Sequence, residues 1–61
     1  MDKVEKILAT FAKDDAIKSD SYIKRAGWRK RLANKLEKAG MAHSEAQTKA
    51  NDFSNKILYG S

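Results

Sequence analysis

The chain contains no cysteine and no proline, three glycines, and only five aromatic side chains in 61 residues. Without cysteine there can be no disulfide, and a single histidine leaves no Cys/His set for structural zinc. No apolar run exceeds three residues, as in Ile7-Leu8-Ala9, whereas a membrane-spanning helix needs about 20 apolar residues. Asp2 and Glu5 stand where a secretory signal carries positive charge, and no apolar middle region follows. The expectation is a soluble, cytoplasmic protein with no export signal.

Chemistry is equally sparse. No glycine-rich loop cradles phosphate, and no nucleophile lies beside a base. Asp14, Asp15 and Asp20 lack the glycine turn and closing glutamate of a calcium loop, so they read as loop and cap residues. The lone His43 falls in the short connection 40–44 with no acid pair to make it a ligand or a general base. The expectation is no enzyme, no cofactor and no metal.

What is present suits one small helical domain spanning 1–61. Apolar residues make up 41% of the chain, but nine of them are alanine. A domain of this size hides only about 60% of its unfolded surface, which leaves a thin margin of stability. No repeat, linker or low-complexity tract divides it. With no proline and many good helix formers, helix is the default between breaks.

Three helices follow from the pattern. In the first, Asp2 is a cap-type residue and Val4, Ile7, Leu8 and Phe11 share one face. It spans 3–13, or 3–18 if Asp14-Asp15 belong to a last turn; alternatively these aspartates cap a short extra turn carrying Ile17. Ser19-Asp20-Ser21 is a break, and a second helix spans 22–39. Trp28, Leu32, Leu36 and Ala39 share its apolar side, with Tyr22, Ala26 and Ala33 on the flank. Ile23 falls opposite Leu32, which implies an irregular first turn or a separate neighbour. Gly40 ends this helix in a left-handed turn, with Met41 reaching back to Leu36 in a Schellman ending. Ser44-Glu45-Ala46-Gln47 reads as a capping box opening a third helix over 45–59. Ala46, Ala50, Phe53 and Ile57 form its stripe, Leu58 and Tyr59 extend it, and Gly60 closes it. The fold class is all-α, a three-helix bundle with a helical hairpin at 22–59.

The charge is concentrated. Residues 1–20 sum to −1, residues 21–40 to +6 with Glu37 as the sole acid, and residues 41–61 to zero. Lys24, Trp28, Arg31, Lys35 and Lys38 are spaced 4, 3, 4 and 3 apart, one continuous strip on a helix. Arg25 and Arg29 lie toward the apolar side, and Lys30 lies away from the strip. Clustered cations on one element are the footprint of a polyanion partner, because each can neutralise a phosphate and release counterions. Trp28 has two readings: a base-stacking platform among the cations, or a core residue aligned with Leu32 and Leu36. The exposed side of the third helix carries Glu45, Gln47, Thr48, Asn51, Asp52 and Asn55. Its amides and hydroxyl could read base edges in a major groove, against which its acids would oppose phosphates, and the alternative reading is a neutral polar face.

Residues 36–58, LEKAGMAHSEAQTKANDFSNKIL, resemble the opening helical hairpin of the HU/IHF nucleoid proteins at Glu37, Lys38, Ala39, Gly40, Ala46, Asn51, Phe53 and Ile57. The resemblance covers about a third of the chain. It implies a helical hairpin and an association with DNA and with a second copy. The glycine-rich strands and basic β-arms of that family are absent, so it assigns no binding residue here.

The expectation for function is a small basic nucleic-acid-binding protein, for DNA or RNA, that contacts the backbone through Lys24, Arg25, Trp28, Arg29, Lys30, Arg31, Lys35 and Lys38. The alternative is a regulator, adaptor or inhibitor that docks the same helix on an acidic protein surface. Binding to a membrane surface ranks last, because Leu32 and Leu36 are needed for the core. A homodimer through Phe53, Ile57, Leu58 and Tyr59 is a separate expectation.

Overall fold

The computed structural model describes residues 2–60, and among them three α-helices and one 3-10 turn carry the fold with no strand. Helix α1 spans Lys3–Ala12. The Asp2 side chain accepts the Val4 N–H at 3.0 Å, which caps its first turn. The helix ends at Ala12, one residue short of the 3–13 reading, and does not run on to 18. The alternative reading of the aspartates is the one formed: Asp14 caps a separate 3-10 turn, Asp15–Lys18, by accepting the Ala16 N–H at 2.9 Å. The reason for this detour is Ile17, which the turn carries into the core with no exposed surface.

Helix α2 spans Tyr22–Lys38, with the Ser21 hydroxyl accepting the Lys24 N–H. It ends as its sequence requires. The Met41 N–H donates to the Leu36 carbonyl and the Gly40 N–H to the Glu37 carbonyl, at 3.1 and 3.0 Å, with Gly40 at φ +107°. These two bonds satisfy carbonyls that a helix end would otherwise orphan.

Helix α3 spans His43–Tyr59 and begins two residues earlier than its capping-box pattern indicates. Ala42 is the extended residue at its start, and the Ala42 carbonyl accepts the Ala46 N–H at 2.8 Å. Ser44 is therefore already inside the first turn and cannot cap it. No side chain caps this helix, and Glu45 in the first turn offsets the exposed amide dipoles. Gly60, at φ +69°, closes the far end.

Both α1 and α3 pack against α2, while α1 and α3 touch each other only marginally. Trp28 is the side chain that makes this possible. It is fully buried, meets Phe11 of α1 edge-on at 5.9 Å and stacks on Phe53 of α3 at 6.3 Å. Its indole N–H donates to the Phe11 carbonyl at 3.0 Å. That carbonyl lies in the last turn of α1, so the bond both satisfies the indole and fastens the end of α1 to α2. Ile17, Leu32, Ala33, Leu36, Ala46 and Ala50 complete the core.

On α3 the buried stripe is Ala46, Ala50 and Ser54, one small residue per turn. Small side chains let α3 lie close to α2, and Phe53, Ile57 and Leu58 pack half-buried on either side of that line. Three of the four residues of the expected dimer stripe are thus engaged with the chain's own core, and only Tyr59 stands free at 76% exposure. At the same open end of the hairpin, Tyr22 is 69% and Ile23 81% exposed. Neither joins the core flank or finds a separate neighbour there. The first turn of α2 is regular, and both side chains face solvent.

Candidate nucleic-acid interface

The cations of α2 differ in the side they leave the helix from and in whether they meet a partner within the chain. Lys24, Arg31, Lys35 and Lys38 share one line along the helix, all four are exposed, and Lys35 and Arg31 reach α1 and the segment that follows it. Their line runs 14 residues, about 21 Å at 1.5 Å per residue. Along the duplex axis each strand carries a phosphate about every 3.4 Å, so a line of this length laid parallel to that axis spans the rise of about six.

Lys35 does not stand alone. It borders a shallow groove of about 220 Å³ together with Lys6, Ile7, Thr10 and Phe11 of α1. Two ammonium groups thus flank an apolar floor, on helices that the sequence alone does not bring together. Lys6 is a residue the helical spacing of α2 could not reveal, because its link to Lys35 is tertiary.

Arg29 and Lys30 leave α2 on the opposite flank. They line a narrow crevice of about 80 Å³ with Gln47 and Asn51 of α3. Arg29 is half-buried and Lys30 exposed. The crevice combines fixed positive charge with two amide side chains that can both donate and accept.

Arg25 and Arg31 have partners within the chain. The Arg25 guanidinium donates to the Ser19 carbonyl at 2.7 Å, which fixes the segment entering α2. Arg31 reaches Asp14 at 3.6 Å, and both groups are well exposed. An exposed pair of this kind is worth only about 0.2–1 kcal/mol, so Arg31 can exchange Asp14 for a phosphate at small cost. Among the described residues no carboxylate pairs with Lys24, Lys30, Lys35 or Lys38.

Glu37, the only acid on α2, is turned away from the strip. Its Oε2 accepts a hydrogen bond from His43 Nδ1 at 3.1 Å, and Gln47 Nε2 donates to His43 Nε2 at 3.4 Å. His43 therefore sits in the first turn of α3 and braces the hairpin, in place of the loop position its sequence context implies.

Trp28 leaves the set of binding residues. Its ring lies between Phe11 and Phe53 with no surface to offer a base. The spacing that places it in line with Lys24 and Arg31 also places it beside Leu32, and burial of the indole decides between the two.

No family model, curated protein or solved structure matches the chain. Among the described residues no helix is long and apolar enough to cross a membrane, and no group of three or more metal-ligating side chains comes together.

Proposed function

We propose that this chain is a small nucleic-acid-binding module that holds the phosphate backbone through α2. The observation that carries the reading is the exposed line Lys24, Arg31, Lys35 and Lys38, extended across the groove by Lys6 and unneutralised apart from the weak Asp14 contact. Four cations on one rigid helix, with the sole acid of that helix held by His43, form a local positive field. Arg29 and Lys30, with Gln47 and Asn51, offer a second contact on the other flank. The contacts are to phosphate and carry little sequence information.

Fluorescence anisotropy with labelled duplex DNA, single-stranded DNA and RNA at about 50 mM salt tests this. Binding that is lost in a Lys24→Gln/Lys35→Gln/Lys38→Gln variant of unchanged helicity supports it. Absence of binding to all three probes refutes it.

A second reading rests on Tyr22 and Ile23. Two large apolar side chains exposed at the head of the cationic helix serve no backbone contact, yet they suit the apolar centre of a protein interface. In that case the cations surround a contact with an acidic protein. A stoichiometric complex that survives nuclease and is weakened by Ile23→Ser favours this reading over the first.

A further inference from the structure

The outward side of α3 carries Glu45, Lys49, Asp52 and Lys56, spaced 4, 3 and 4 apart in a single line of alternating sign. All four side chains are exposed. The same spacing would permit pairs within the helix, but among the described residues the one Lys/Arg–carboxylate pair within 4 Å is Arg31–Asp14, and it does not lie on this line.

Read from its other end, the order negative, positive, negative, positive becomes its complement. Two copies of the line laid antiparallel therefore place every carboxylate opposite an ammonium. Glu45 meets the partner's Lys56, and Lys49 meets the partner's Asp52, about a two-fold axis midway between Ala50 and Asn51. A two-fold contact needs such self-complementarity. The cationic line on α2 is the opposite case, since two copies of it would repel.

Beside this line lies apolar surface that α1 and α3 leave open because they scarcely touch. A depression of about 310 Å³ has Leu8 and Phe53 in its floor and Lys49, Asp52 and Lys56 on its rim. It adjoins another of about 400 Å³ that contains Met41 and shares Lys49 and Asp52. The antiparallel register also brings the exposed Tyr59 over the partner's Ala42, next to Met41.

We infer that the α3 face is a homodimer contact, with a second copy of this chain as its occupant, docked antiparallel across Glu45, Lys49, Asp52 and Lys56. Leu8, Phe53, Met41 and Tyr59 supply the apolar area. The charges fix register and direction, the role in which exposed pairs are most effective. The dimer keeps both copies of the cationic α2 line outside the contact, and it stands or falls independently of any nucleic acid.

Sedimentation velocity of the full chain, free of nucleic acid, tests it by charge exchange. The wild-type protein is expected to dimerise at high micromolar concentration. Lys56→Glu sets like charges at two symmetric positions and weakens the dimer by about tenfold. The double variant Glu45→Lys/Lys56→Glu restores opposite pairs and with them the wild-type affinity. Glu45→Lys alone repeats the test from the other end, and circular dichroism verifies that each variant is folded. A wild-type monomer at millimolar concentration overturns the proposal and leaves the groove to a different occupant. Equal dimerisation of all four proteins, or failure of the double variant to recover, overturns the register.

Discussion

Among the described residues Ser54 is the one polar side chain in the core, and its hydroxyl has no hydrogen-bond partner. Thr10 shows the usual alternative on a helix, since its hydroxyl donates back to the Lys6 carbonyl at 3.0 Å. Ser54 makes no such bond. A hydroxyl removed from water without a partner costs about 1–3 kcal/mol. Replacing serine with alanine removes that cost and gains a few tenths of a kcal/mol, up to about 0.5, in helix propensity. Against this stands a void of one oxygen atom, worth a few tenths of a kcal/mol at about 24 cal/mol per Å³. Ser54→Ala should therefore stabilise the fold by about 1–2 kcal/mol. In a domain of about 60 residues each kcal/mol moves the melting temperature by about 4–8 °C, so the expected rise is about 5–15 °C. Thermal and urea unfolding followed by circular dichroism measure it directly. A variant less stable than wild type by about 0.5 kcal/mol or more would refute the reasoning, because the hydroxyl would then be bonded in solution.

Other substitutions probe the rest of the frame. Trp28→Phe removes the bond to the Phe11 carbonyl and part of a fully buried ring, and should cost about 2–3 kcal/mol in urea unfolding; a near-neutral result would place the indole outside the core. Gly27→Ala should stabilise by about 0.5–1 kcal/mol, since a mid-helix glycine is unfavourable. The added Cβ meets only the mobile Arg31 guanidinium at 3.4 Å, and a loss of stability would show that this guanidinium needs the space. Gly40→Ala should cost about 1 kcal/mol or more although nothing lies within 4 Å of its Cβ, because the positive φ alone is strained for an L side chain; an unchanged melting temperature would contradict the Schellman ending.

The hairpin was the most legible part of the sequence, because its signals are local. Leu36, Gly40 and Met41 stand at fixed offsets that only one helix ending uses, and the structure forms both of its hydrogen bonds. The start of α3 misleads because Ser44-x-x-Gln47 matches a capping box by composition, while the helix is entered at Ala42 straight from the glycine turn. Gln47 turns to His43 instead. Ser54 is not legible as a core residue, since a hydroxyl on a helix ordinarily marks the wet side. Tyr22 and Ile23 fail in the other direction: size and apolarity suggest burial, but both leave the first turn of α2 on its solvent side. The periodicity of α2 located the cations and left Trp28 undecided, because one helical line can border both core and solvent. The pairing of Lys6 with Lys35 depends on how α1 crosses α2, and no spacing within either helix encodes it.

The account rests on the cations of α2 acting together on phosphates, and salt dependence measures that most directly. Five cations, Lys6, Lys24, Arg31, Lys35 and Lys38, predict a slope of about −4.5 in log K against log salt for duplex DNA, a loss of about 10²–10³-fold between about 50 and 200 mM. Each Lys→Gln change among them should lower the slope by about one. Undetectable binding at the low end of that range, or an affinity indifferent to salt and to these substitutions, would contradict it.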